Sequence, residues 1–303
     1  MKITPSFPGG HVGANLRNSK FGFRNSPAFT LLELLMVIAI IGILAALTVP
    51  ALKNLGQSQV QVSAARQLLD DVGRARQLAI SQRTTVYMVF VPQVVNWWSA
   101  LPAAQLAAGT NLLDKQCSGY TFVSLRSVGD QPGQGVPRYL AEWKSLPSGA
   151  FIATNKFNRY YQYNPGAGYP NNDYLITDSS SGINYPINSF NYYTNNNPNA
   201  LLPFPVETNR VYTSSAPYFT LPYIAFNYLG QLTVDGATMA LHDEYIPLAQ
   251  GVVTYAVDAG KNLQLTPSDF TENPLGNSTN SMFTLIHIDR LTGRATVRQQ
   301  KVQ

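Results

Sequence analysis

Cysteine is almost absent from the 303 residues: Cys117 is the only one. No intramolecular disulfide can form, and the paired-cysteine spacings of zinc sites are excluded. A lone thiol is expected to be buried and inert, an intermolecular bridge being the alternative. Histidine is scarce too, at His11, His242 and His287. Neither G-x-x-x-x-G-K-S/T nor G-x-G-x-x-G occurs, which removes the glycine-rich phosphate cradles. No G-x-S-x-G is present to set a serine nucleophile on a strained turn. Charged residues make up 12% of the chain, about half the usual quarter, while aromatics reach 11%. Such a profile suits a β-rich surface built from Asn, Ser, Thr and Tyr.

The charge that is present is unevenly placed. Lys2, Arg17, Lys20 and Arg24 precede Ala28 and no acid does, so the formal +5 falls to +1 from Phe29 onward. The basic character belongs to a leader, and nucleic acid is not the expected partner. Behind the leader, Phe29 to Val49 gives 21 residues with Glu33 as the sole charge. As a helix this run is about 31 Å long, the thickness of a bilayer core. The positive-inside rule keeps Met1–Ala28 in the cytoplasm and sends the C-terminal bulk across. Three readings fit: a secretory signal peptide cut after Val49-Pro50-Ala51, a permanent signal anchor, or a signal cut before the apolar run. Glu33 bears on the choice. A carboxylate near mid-membrane costs about 2.5–3.5 kcal/mol, less near the segment's end, and a discarded signal peptide has no use for it. Snorkelling to the interface is the plainer account of the acid. An amine freed at Phe29, mostly cationic at neutral pH, would instead give it a partner.

The residues Ala28-Phe29-Thr30-Leu31-Leu32-Glu33, followed by LLMVIAIIGILAALTVPAL, resemble the class III signal of type IV pilins and type II secretion pseudopilins. Counted from Phe29, Glu33 is fifth, Gly42 fourteenth and Pro50 twenty-second, as in that family. Where the family usually has Gly before the cut, this chain has Ala28. The resemblance implies cleavage by prepilin peptidase between Ala28 and Phe29, and N-methylation of Phe29 with retention of its charge. It implies pairing of Glu33 with the Phe29 amine of a neighbouring subunit, and helix packing and bending at Gly42 and Pro50. The implied partners are the peptidase, other pilins or pseudopilins in a helical fibre, an inner-membrane assembly platform and the inner membrane, with the C-terminal domain in the periplasm. No cofactor or metal is implied.

Pro50 would ordinarily end a helix. The period nevertheless continues, with Val60, Ala64, Leu68, Val72, Ala75 and Ala79 on one stripe and Arg66, Asp70, Asp71, Arg74, Arg76 and Arg83 on the polar face. One long helix is expected, kinked near Pro50 and Gly56, with residues 51–83 amphipathic. From Thr84 the period falls to 2. Strands are expected at Thr84–Val91, Tyr120–Val128, Arg138–Leu146, Gly149–Thr154, Tyr223–Asn227, Gln231–Val234, Met282–Ile288 and Arg294–Arg298, with one or two more in EYIPLAQGVVTYAVD. Met282–Ile288 is expected to be central and covered on both faces. Asn96–Gln116 reads as a mixed insertion with a short helix around Pro102–Ala108, Trp97 and Trp98 serving in packing. Residues 155–218 hold 13 Asn and 10 Tyr, which suits surface display or subunit contact, or mere decoration.

The expected fold is α+β: a long N-terminal helix packed on an antiparallel sheet or two-sheet domain. Its expected parts are a leader at 1–28, a transmembrane half-helix at 29–50, an amphipathic half at 51–83 and a β-rich extracytoplasmic domain at 84–303. AFNYLG with the closing IHIDRLTGRATV hairpin is loosely similar to H-type minor pseudopilins and FimT-like minor pilins. Catalysis finds little support. His242-Asp243-Glu244 are adjacent and point apart, and His287 with Asp289 lacks a nucleophile on a special turn. The expected role is a structural subunit, minor rather than major, of a secretion pseudopilus or type IV pilus-like fibre. The rival is a minor pilin that binds DNA or a surface ligand, using Arg66, Arg74, Arg76 and Arg83.

Overall fold

The computed structural model describes residues 30–93, 110–126, 129, 138–157, 174–178, 181–191, 204–205, 218–219, 221–278 and 283–299. At 47–58, 174, 204–205 and 218–219 it describes the backbone alone. The leader, Ala28, Phe29, Trp97, Trp98 and the short helix expected at Pro102–Ala108 lie outside the described residues. The chain divides into two units, Met1–Ala51 and Leu52–Gln303.

Helix α1 spans Leu31–Gln82 and runs through Pro50 and Gly56 as one element. Proline removes one i→i−4 bond, but the helix-favouring sequence on both sides carries the chain past it. The helix closes at Arg83, which takes φ 51°. Its N–H donates to Ile80 O (3.3 Å), and that of Thr84 donates to Ala79 O (3.2 Å), the paired bonds of a Schellman closure. Glycine is the usual residue at that position, because a Cβ in the left-handed region costs about 1–2 kcal/mol. Arg83→Gly is therefore expected to stabilise the protein by about 1 kcal/mol, read as a higher denaturation midpoint at unchanged slope.

Among the described residues fifteen strands follow: β1 (Val86–Phe90), β2 (Gly119–Ser124), β3 (Arg138–Tyr139), β4 (Lys144–Ser145), β5 (Ala150–Ile152), β6 (Tyr174–Thr177), β7 (Asn184–Ile187), β8 (Phe204–Pro205), β9 (Tyr218–Phe219), β10 (Tyr223–Phe226), β11 (Leu232–Thr233), β12 (Glu244–Thr254), β13 (Asp269–Glu272), β14 (Thr284–Ile288) and β15 (Ala295–Gln299). One sheet has the order β11-β10-β1-β2-β3, with β4 also on β2. A second has the order β13-β12-β14-β15, with β5 also on β12, and β6-β7 and β8-β9 are separate hairpin-like pairs. Among the described residues all the strand pairings are antiparallel.

The core lies where α1 meets both large sheets. Ala64, Leu68, Val72, Ala75 and Ala79 are fully buried against Val86, Met88, Phe90 and Phe122 of one sheet and Phe151, Ile246, Leu248 and Ile286 of the other. Alanine at three of those helix positions lets the sheets approach closely, and burying Leu68 alone stabilises by about 1.5–3 kcal/mol. β1 is apolar on successive residues because both its faces are covered: Tyr87 and Val89 pack outward on Leu112, Leu113 and Tyr223. β14 lies between β12 and β15, with Ile286 and Ile288 in the main core and Leu285 in a cluster with Ile176, Ile187 and Phe283. Lys156 is fully buried and ion-paired with Glu244, donates to Asn188 O at 2.6 Å, and sits 4.9 Å from the Phe190 ring centre. Burial draws its amine below the ordinary lysine range.

The motifs AFNYLG and DRLTGR are two turns that meet. Asn227 Oδ1 accepts the N–H groups of Leu229 and Gln231, both at 3.0 Å, and Asp289 Oδ1 accepts that of Thr292 at 2.7 Å. Leu232 N–H donates to Arg290 O at 3.0 Å, and Arg76 Nε on the helix reaches Thr292 O at 2.6 Å. A Cβ at Gly293 (φ 62°) would lie 2.0 Å from Gly230 O, so turn-on-turn contact demands glycine there.

Three expectations change. Asp71, read as part of the polar face, is buried with 5% exposure, accepting Tyr120 Oη and Lys144 Nζ, each at 2.6 Å. It adjoins Leu68 and Val72 on the buried stripe, and its charge is answered from the sheet. Arg138–Leu146 is not one strand but β3 and β4, each two residues long. The described part of the Asn/Tyr-rich segment does more than decorate: Ile176 and Ile187 are fully buried, and Phe190 stacks on Phe90 at 4.3 Å.

Candidate functional site at the start of the long helix

The first turn of α1 is held by two residues of the TLLE sequence. Glu33 N–H donates to Thr30 Oγ1 (3.2 Å), while Thr30 N–H and Thr30 Oγ1 both reach Glu33 Oε2 (3.1 Å each). Leu34 N–H then donates to Thr30 O (3.1 Å) as the first helical bond. This reciprocal arrangement is a capping box, with Thr30 as N-cap and Glu33 three residues on. The positive end of the helix dipole adds to it. The signal was legible as T-x-x-E ahead of an apolar run, and the sequence reading passed over it. Glu33 Oε1 has no partner among the described residues.

Beyond the cap, the helix bares its apolar side chains on every face: Leu31, Leu32, Met36, Ile40 and Ile43 are all more than half exposed. A Cβ at Gly42 would meet nothing within 4 Å, so no contact among the described residues demands glycine there. Among the described residues no helix is long and apolar enough to cross a membrane; description of side chains in the apolar run stops at Ala46. A family model described as the prokaryotic N-terminal methylation motif matches residues 23–49. The chain carries a class III pilin signal.

No curated protein and no solved structure matches the chain significantly. The pilin signal takes in Ala28, Phe29, Glu33 and Gly42 and ends one residue before Pro50. It implies processing by prepilin peptidase and assembly with other pilins. The architecture behind it, a helix followed by antiparallel sheets, is α+β and consistent with a pilin fold.

The other candidate residues part company. His242 Nδ1 lies 3.4 Å from Asn188 Nδ2, Asp243 Oδ2 lies 2.8 Å from His287 Nε2, and Glu244 turns inward to Lys156. Among the described residues no three His, Cys, Asp or Glu side chains converge as metal ligands. His287 takes Asp243, not Asp289, as its carboxylate, and its Nδ1 faces Thr296 Oγ1 at 3.4 Å. That hydroxyl stands mid-strand on β15, opposite His287, instead of on a turn that would present a nucleophile. Cys117 is fully buried, and burial pushes its thiol far above the ordinary range, so it is inert. Arg66, Arg74 and Arg83 are exposed. At 100° per residue Arg74 is turned about 80° from Arg66, and Arg83 lies past the helix end in the left-handed region, so the three form no single basic stripe.

Proposed function

We propose that this chain is a structural subunit, a minor one, of a type II secretion pseudopilus or type IV pilus-like fibre. Prepilin peptidase cuts between Ala28 and Phe29, and Phe29 is N-methylated. The subunit waits in the inner membrane by Phe29–Val49 with its β-domain in the periplasm, then passes through an assembly platform into the fibre. The observation that carries this reading is the capped, acid-bearing start of α1 inside the matched motif, followed by a bare apolar helix. A cut after Ala28 leaves the Thr30–Glu33 box whole and sets a cationic amine one residue before it. Gly42, where no contact among the described residues demands glycine, is assigned to close helix–helix packing in the fibre, and Pro50 to the bend. The pilin-type motif points to a structural subunit and not an enzyme. The intact mass of the membrane-extracted protein tests the reading: an N-terminus at methylated Phe29 is expected, and one at Leu52 would overturn it.

A further inference from the structure

The geometry points to a binding site for an acidic saccharide at the end of α1 remote from the signal. A cleft of about 590 Å³, within the size range of small-ligand sites, opens between the helix terminus, the ends of β1 and β2, and the turns at Tyr228 and Asp235. Arg83 and Arg126 line it, and among the described residues neither guanidinium has a hydrogen bond or ion pair. Their backbones are tied together: Thr84, next to Arg83, donates its hydroxyl to Arg126 O at 2.9 Å, and Ser124 Oγ reaches the same carbonyl at 2.5 Å.

The one carboxylate in the lining, Asp235, pairs with neither of them. Asp235 Oδ1 accepts the N–H groups of Ala237 (2.9 Å) and Thr238 (2.6 Å), and Oδ2 accepts Thr238 Oγ1 (3.1 Å). Its hydrogen bonds are taken up by its own turn, while its charge stays in the cleft and leaves the lining a net +1. The carbonyl end of the helix would repel an anion, so the two arginines are the only strong attraction the cleft offers one. Arg83 also occupies the left-handed position where glycine would be more stable. A backbone cost kept at a cleft, in exchange for a guanidinium, is the pattern expected of a functional site.

The rest of the lining selects the class of anion. Gln82 and Thr85 are neutral hydrogen-bonding groups suited to sugar hydroxyls, and Tyr228, 56% exposed, offers a ring face for a pyranose. A guanidinium fork matches a uronate carboxylate in two parallel bonds. A nucleic-acid strand would need a continued row of cations, and Arg66 and Arg74 sit about 80° apart around the helix, off one line.

The test is calorimetric titration of the detergent-solubilised full chain with trigalacturonate, its fully methyl-esterified form, inorganic phosphate and a single-stranded oligothymidine. Saturable binding of trigalacturonate is expected, with the ester weaker by about tenfold or more, the scale of one charge-assisted hydrogen bond. Arg126→Gln should weaken binding similarly. Arg83→Gly should weaken binding while raising the melting temperature, which separates loss of ligand from loss of fold. Absence of trigalacturonate binding, equal affinity for the ester, indifference to both arginine variants, or tighter binding of phosphate or oligothymidine would each overturn the assignment.

Discussion

Glu33→Gln is expected to abolish incorporation into the fibre almost as completely as Glu33→Ala. The capping box makes the comparison informative, because glutamine serves at that position as well as glutamate. Thr30 can still bond the amide oxygen of the substituted side chain, so the Gln variant keeps most of the local helix start and loses only the charge. The cap itself is worth about 1 kcal/mol. A carboxylate paired with a cationic Phe29 amine among packed apolar helices is worth more: leaving one partner of a buried pair alone costs about 3–5 kcal/mol, or more than a hundredfold in association. The check is the fraction of subunit recovered in purified fibre against that left in the membrane, with processing at Phe29 confirmed by mass. Should the Gln variant assemble like the parent while the Ala variant fails, Glu33 acts only as a helix cap and intersubunit pairing is refuted.

Lys156→Met is expected to destabilise the β-domain by about 3–5 kcal/mol, a large part of the 5–15 kcal/mol typical of a folded domain. The methionine fits the aliphatic path of the lysine, so the loss comes from Glu244, left 6% exposed and without its cation. Asn188 O loses its donor as well. The double variant Lys156→Met, Glu244→Leu should recover most of the loss, since an apolar pair of similar volume carries no desolvation penalty. Denaturant titration of both variants decides it; a single variant within about 0.5 kcal/mol of the parent would mean that water reaches the pair. The pair holds Thr154–Phe157 and Asn188, which bracket nearly half of the Asn/Tyr-rich segment, to the central strand β12. This is where that segment becomes part of the fold.

What the sequence by itself determined is whatever rests on neighbours along the chain. Ala28 to Pro50 could be read directly because register, apolar length and the position of Glu33 are counted residue by residue. Helical and strand periods are local in the same way, which is why α1, β1, β12 and β14 were legible. The T-x-x-E cap was equally local and was there to be read. Tertiary structure alone decided the rest. Asp71 looks like any solvated helix acid until Tyr120 and Lys144 arrive from other strands. Gly230 and Gly293 look like ordinary turn residues until the two turns touch. Lys156 and Glu244, 88 residues apart, carry no mark of their pairing, and the Arg83–Arg126 cleft exists only where a helix end meets a strand end. Burial and charge pairing depend on which distant residues converge, and no periodicity along the chain encodes that.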